Sequence, residues 1–183
     1  LAEAARAKSV PLIFDEVFTG FGRTGSLFAF NHYELVPDLL IMGKSFGGGM
    51  PAGLLAGTDE ILGNWSRGVQ TSTFQLHPVA AATSNAFLKV FCEQNILENC
   101  KLVESWCRQE FASLENKPHV LELKGIGAFW VLEIDDPQQA KLFRQKALNN
   151  GLLTWECGVE GRGIGLVPPL TVKSRHIKEA KKI

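Results

Sequence analysis

LIFDEVFTGFGRTG at residues 12–25, followed by PDLLIMGKSFGGGMPAG at residues 37–53, is the stretch whose reading decides the fold. Leu12-Ile13-Phe14 is an apolar run without alternation, the pattern of a strand buried on both faces, and it ends on the carboxylate pair Asp15-Glu16. A loop punctuated by Gly20, Gly22 and Gly25 comes next, where backbone freedom or close approach is needed. A second apolar run, residues 39–42, ends at Gly43-Lys44 and is followed by the three glycines 47–49. One strand delivers an acid at its end and the next delivers an amine. If the two share a sheet, both groups stand at its carboxyl edge, where open α/β sheets bind ligands.

Outward from this centre, residues 1–8 read as a helix tail and Ser9-Val10-Pro11 as a turn. Residues 28–35 read as a short helix broken by Val36-Pro37-Asp38, and residues 52–56 as a third short strand. Thr58-Asp59-Glu60 is expected to cap a helix onset that runs to Trp65. The hydroxyl-rich QTSTF at residues 70–74 precedes His77-Pro78, which opens a long helix to about Gln94 with proline in its first turn. Ala82, Ala86, Leu88 and Phe91 are among its apolar positions. Asn95-Ile96-Leu97 reads as a domain junction, and a second amphipathic helix continues to about Leu114 through Leu102, Val103, Trp106 and Phe111. Beyond it, residues 120–123, 127–134, 152–154 and 164–167 read as strands, and residues 136–150 as a helix closed by Gly151. The expected organisation is an α/β domain over residues 1–94, then a small α+β domain over 95–183.

Composition narrows the function classes. The 183 residues are 45% apolar and 21% charged, ordinary for a globular protein. Lys plus Arg equals Asp plus Glu at 19 each, so charge makes no case for nucleic acid or an anionic membrane. The longest apolar runs are about five residues, against the ~20 of a membrane span. Cys92, Cys100, Cys107 and Cys157 form no CxxC pair and read as reduced thiols of a cytoplasmic compartment. His32, His77, His119 and His176 are scattered, so no metal site is expected. The chain starts mid-helix without Met and stops in a helix without a stop signal; a fragment of a longer protein, cut at both ends, is the expectation.

The acid–amine pair is the chemical centre of the sequence. Asp15 ends a buried run, and Lys44 lies between an apolar run and glycines, so its stem is expected in a crowded, partly dry place. Desolvation frees a lysine amine as a nucleophile, and as a base at a substrate α-carbon. A lysine poised against a buried acid is what pyridoxal phosphate chemistry needs: the amine forms the Schiff base, and the carboxylate keeps the pyridine nitrogen protonated. Ser72 and Thr73 lie just before a helix and read equally as an anion cradle or as caps of the His77-Pro78 helix. Arg23 reads as the partner of a carboxylate, the substrate's or, preferred, a structural one. The glycine motifs do not match a dinucleotide fingerprint.

These two stretches, with TSTFQLHPVAAA at residues 71–82, resemble the signature of class III aminotransferases, in the family's order and at about its spacing. KGIGAFWVLEI at residues 124–134 and VPPLTV at residues 167–172 resemble its C-terminal motifs, so the resemblance covers nearly the whole chain. It implies the C-terminal half of a pyridoxal 5'-phosphate enzyme of fold type I: part of a large domain with a mainly parallel sheet, followed by a small α+β domain. It implies transamination between an amine or amino acid and a 2-oxo acid. Asp15 becomes the pyridinium partner, Lys44 the Schiff-base lysine and Val17 a packing face for the ring. Thr73, beside Ser72, becomes a phosphate ligand for the cofactor of a neighbouring subunit, which implies a homodimer with active sites at its interface.

The sequence departs from the family at four places. Phe18 stands where many members have Gln, removing a hydrogen bond to the cofactor's ring oxygen. Gly165 stands where many carry the arginine that holds a substrate carboxylate, and Arg162 is the nearest replacement. Lys124 stands where arginine is usual. The family's N-terminal half is absent, so this stretch by itself is expected to be inactive. The runner-up readings are a 2,1-aminomutase of the glutamate-1-semialdehyde type, which Gly165 also fits, and a non-catalytic subunit that retains the fold.

Overall fold

The computed structural model describes residues 1–75 and 77–183. Leu76, inside the third family-like motif, lies outside the described residues. Contacts divide the chain into two compact units: residues 1–21 with 26–95, and residues 96–183 with the short insert 22–25.

The first unit is built on a three-stranded sheet in the order β1-β2-β3. Helix α1 (Ala2–Ala7) leads into β1 (Ile13–Asp15), which pairs in parallel with β2 (Leu39–Met42). The register sets Ile13 opposite Leu39, Phe14 opposite Leu40 and Asp15 opposite Ile41. Strand β3 (Leu54–Gly57) returns antiparallel to β2, with Met42 opposite Leu54. The expectation that β1 is buried on both faces is corrected: Ile13 is exposed and Phe14 half-buried, and β1 lies at the edge of this sheet.

A cluster of rings fills the space beneath the loops. The Phe21 ring meets Phe28, Phe46, Phe87 and Phe91 with centroids 5.3–6.2 Å apart, and Phe14 meets Phe30 edge-on at 5.8 Å. Such contacts add to the area term that burial of large rings supplies. Helix α2 (Asp59–Leu62) starts after Thr58, whose side chain makes no capping bond, so that expected cap is absent. The helix also ends short of Trp65. Helix α3 (Pro78–Glu93) has proline in its first turn, as expected. Its buried face is Ala80, Ser84 and Phe91; Ala82, Ala86 and Leu88 are exposed, so the apolar positions expected in its core only share Phe91 with it.

The second unit packs helices on a four-stranded antiparallel sheet ordered β4-β5-β7-β6. Helix α4 (Ile96–Phe111) buries Ile96, Cys100, Val103, Cys107 and Phe111, the i, i+4, i+7 stripe of a helix facing a core. Leu102, expected in that stripe, is exposed, and the two cysteines take its place. Strand β4 (Val120–Ile126) pairs with β5 (Phe129–Ile134), whose inward side chains Trp130, Leu132 and Ile134 alternate with half-buried neighbours at period two. Helix α5 (Pro137–Asn149) starts at Asp136, whose carboxylate accepts the Gln138 N–H at 2.7 Å, and Gly151 beyond its end has φ +88°. The strand expected over 152–154 lies slightly later, as β6 (Trp155–Cys157). It pairs with β7 (Gly163–Leu166), and α6 (Ser174–Lys182) closes the unit by burying Ile177.

The insert belongs to this unit for a physical reason. The Arg23 guanidinium donates to the carbonyls of Ala128 and Pro168 at 3.1 and 2.7 Å, and Ala128 N–H donates to the Arg23 carbonyl at 2.9 Å. The partner expected for Arg23, a carboxylate, is thus replaced by two carbonyls; its role in this unit is structural. Gly127, at φ +57°, lies so close that a Cβ there would stand 2.4 Å from Gly25 N.

Burial pushes the Cys100 thiol up to about 11 and the Cys107 thiol up to about 12, with nearby Glu104 adding to the second. In the native protein a thiol reagent near neutral pH should label exposed Cys92 and spare these two until unfolding, a contrast that mass mapping reads directly. Because their folded values lie above the ordinary 9.0, the stability they contribute is full below about pH 9 and is lost as pH rises through their folded values. The melting midpoint should fall over that range, and less steeply in Cys107→Ala; an equal slope would count against burial of the thiol.

Candidate active site

Two adjacent parallel strands end at the same edge of the first sheet, Asp15 closing β1 and Met42 closing β2 one residue before Gly43-Lys44. The ladder runs one step beyond the strands: Glu16 N–H donates to the Ile41 carbonyl at 2.9 Å. The sheet therefore carries the acid and the amine on neighbouring strand ends, as the sequence spacing implies.

Asp15 is exposed. Its Oδ1 accepts the Val17 N–H at 3.0 Å, and its other oxygen accepts no hydrogen bond among the described residues. Val17 turns back over the strand ends; a Cβ at Gly43 would lie 3.3 Å from a Val17 methyl. That contact explains the glycine before Lys44: a side chain there would meet Val17.

Lys44 opens a 3₁₀ turn (Lys44–Gly47) at φ +46°, a left-handed conformation that costs a non-glycine residue roughly 1 kcal/mol or more. Its ammonium stands over the Phe18 ring, 4.6 Å from the centroid. Among the described residues it makes no ion pair. The expectation of a partly dry setting is corrected: Lys44 is exposed, with the Phe18 ring its identified cover.

Helix α3 holds this turn in place. Thr83 Oγ1 donates to the Gly47 carbonyl at 2.8 Å, and Gly48 (φ +60°) sits so tightly that a Cβ there would stand 2.5 Å from the Thr83 carbonyl. Gly47, through its carbonyl, and Gly48, through its missing side chain, thus dock the lysine's turn on α3, whereas a Cβ at Gly49 would meet nothing within 4 Å. The signal for Thr83 was a β-branched hydroxyl in an alanine-rich helix, which periodicity alone does not single out.

Glu16 is the other residue that sequence reasoning named without assigning. It is 2% exposed; its carboxylate accepts the Phe30 N–H at 3.0 Å and the Thr19 hydroxyl. Of the adjacent acids, the first points to open space and the second ties down the loop.

Ser72 and Thr73 are exposed, and neither caps α3, whose N-cap is His77 with no side-chain capping bond. Ser72 lines a cavity of about 450 Å³ with Phe46, Ala52, His77 and Ser84; Thr73 is not among its lining residues. The structure thus gathers Asp15, Val17, Phe18 and Lys44, sets Ser72 beside Phe46 of the lysine turn, and leaves Thr73 projecting by itself.

Arg162 belongs to the second unit. Its carbonyl accepts the Ile134 N–H at 3.1 Å and its guanidinium pairs with Glu160. Its Nε is buried and has no hydrogen-bond partner among the described residues. Gly165 lies buried in β7, where a Cβ would stand 3.3 Å from the Trp155 carbonyl.

A family model described as aminotransferase class-III matches residues 1–183. An acetylornithine aminotransferase of Oceanobacillus iheyensis is 32% identical over 179 residues, 97% of this chain and 44% of that protein. The solved ornithine δ-aminotransferase of Plasmodium falciparum superposes with TM-score 0.90 at 29% identity, over 99% of this chain and 46% of that one. An acetylornithine aminotransferase from Elizabethkingia anophelis gives TM-score 0.90 at 30% identity, over 99% and 46%. The chain thus spans less than half the length of the relatives it matches, and it has their α/β fold, the fold-type-I class that the sequence implies.

Glu16→Ala strips two donors of their buried acceptor and should cost about 2–3 kcal/mol in denaturant unfolding. Thr83→Val, which loses one hydrogen bond, should cost about 1 kcal/mol, and Thr83→Ser much less. A Glu16→Ala variant as stable as the parent would remove the loop-anchoring role.

Proposed function

This chain belongs to the class III aminotransferases, and on that premise we propose that the protein carrying it is a pyridoxal-phosphate-dependent transaminase, moving an amino group between an amine or amino acid and a 2-oxo acid. The observation that carries the reading is the parallel pairing of β1 with β2, which puts a carboxylate and an amine without a carboxylate partner at one sheet edge. Lys44 would hold the cofactor covalently, Asp15 its ring nitrogen, Val17 a ring face and Ser72 its phosphate, while Thr73 would reach the phosphate of a second copy's cofactor. When bound, that group supplies an electron sink for the carbanion at the substrate α-carbon.

The protein's own residues do the rest. Asp15, with one carboxylate oxygen open, would accept a hydrogen bond from the protonated ring nitrogen. Lys44 Nζ would act as the positioned base that moves a proton at the substrate α-carbon. The turn locked by Thr83 and the contact between Gly43 and Val17 keep that amine on one trajectory, which is where effective concentration comes from. Phe18 offers the ammonium form a ring face, worth about 0.5–1 kcal/mol at an exposed site. For a substrate carboxylate we propose Arg162, the arginine nearest in sequence to the position that Gly165 occupies. Thr73 serves a second copy, so the working enzyme is a homodimer, and its four free thiols suit a reducing cytoplasm.

Borohydride reduction of the cofactor-loaded protein should fix the label on Lys44, found by peptide mass. Lys44→Ala should bind no reducible cofactor and lose at least about a thousandfold in rate. Amino transfer should consume one 2-oxo acid and release another for each turnover. A folded, loaded protein with no label on Lys44, or product formed with no 2-oxo acid released, would overturn the reading.

A further inference from the structure

The second unit contains a cavity that the transaminase chemistry does not use. It has a volume of about 180 Å³ and lies between α5 and residues 114–120. Every lining residue belongs to the unit that does not hold Lys44.

Its inner wall is apolar. Leu132 and Ile134, the inward side chains of β5, are 1% and 3% exposed, and Phe143 of α5 packs against them. These groups offer no hydrogen-bonding atom, so an occupant must place carbon there. Cavities of about 150 Å³ with such linings take up a benzene ring in preference to water. A volume of about 180 Å³ therefore suits one ring or a chain of about five or six carbons.

The rim is cationic. Lys117 and Lys146 line the cavity from its two sides, and among the described residues neither takes part in an ion pair. The nearby carboxylate is already engaged: Asp135 sits 3.2 Å from His119 Nδ1, and its N–H donates to the His119 carbonyl at 3.0 Å. His119 itself has φ +67°, a conformation held by that reciprocal contact. The mouth thus carries two unmatched ammonium groups above an apolar wall, and Leu142 stands 53% exposed beside it.

We propose that this cavity is a binding site for a small apolar monocarboxylate, its ring or short alkyl chain against Leu132, Ile134 and Phe143 and its carboxylate between Lys117 and Lys146. The charge pattern selects the class: a neutral compound would leave both ammonium groups unmatched, and an amine would add a third cation.

The probe is 3-phenylpropionate, titrated calorimetrically into the full-length, cofactor-loaded protein at low ionic strength. Binding should be saturable. It should persist in Lys44→Ala, which places it outside the cofactor site. It should weaken about tenfold or more in the double variant Lys117→Glu/Lys146→Glu, whose altered residues are exposed, and equally for 3-phenylpropanamide in the unaltered protein. Absence of saturable binding would mean that the protein itself fills the cavity, and overturns the proposal. So would equal affinity for the amide, unchanged affinity in the double variant, or loss of binding in Lys44→Ala.

Discussion

Parallel pairing of Ile13–Asp15 with Leu39–Met42 is the constraint on which the first unit depends. Strand side chains alternate between faces, so a slip of one residue would turn Asp15 to the opposite side of the sheet. The register is held at its end by the Glu16 N–H on the Ile41 carbonyl, and the loop beyond it by the buried Glu16 carboxylate. The second of these matters more for specificity. A buried carboxylate is costly unless its lone pairs are filled, so the only comfortable path for residues 17–30 is the one that brings Thr19 and the Phe30 N–H to it. That path also carries Val17 over Gly43 and Phe18 under the Lys44 ammonium.

The second unit obeys a different rule. Its core is a ladder of β5 side chains facing the α4 stripe, and a close backbone contact joins Gly127 to residues 23–25. There Glu104 accepts the Gly127 N–H at 2.8 Å and the Arg108 guanidinium at 3.0 Å, while Arg108 lies over the Trp130 ring and the indole N–H donates to the Gly127 carbonyl. Burial lowers the Arg23 pKa, but its two carbonyl acceptors give its donors the partners that burial demands. The GRTG stretch is therefore explained by packing before any ligand is considered.

Much of this was legible in the sequence. The strand ends at Asp15 and Lys44, the proline-led α3 and the period-two pattern of β5 obey chain-local rules, and so do their positions. The features that were not legible depend on neighbours far along the chain. Nothing local says that β1 is an edge strand, that α3 buries Ala80 and Ser84 rather than Ala82 and Ala86, or that Cys100 and Cys107 fill the place expected of Leu102. The face a helix buries is chosen by its partner, and α3 lays Phe87 and Phe91 against the Phe21 ring while its Thr83 carbonyl closes on Gly48. At the site, the acid and the amine could be read from spacing, whereas Thr83 and Glu16 act through contacts 36 and 14 residues away and left no local mark.

A folded protein saturates nearly all its buried polar groups, so the groups left open are the informative ones. Glu16, Arg23, Glu104 and Arg144 are all engaged, the last by the Gly161 carbonyl and Glu156. Against that background the one buried side-chain nitrogen or oxygen left without a partner among the described residues is the Nε of Arg162, in the second unit. Lys44 shares its positive φ with six other non-glycine residues, Phe21 and His119 among them, so strain by itself does not mark the turn after β2; what sets Lys44 apart is that the strand leading to it pairs in parallel with the strand that ends on Asp15.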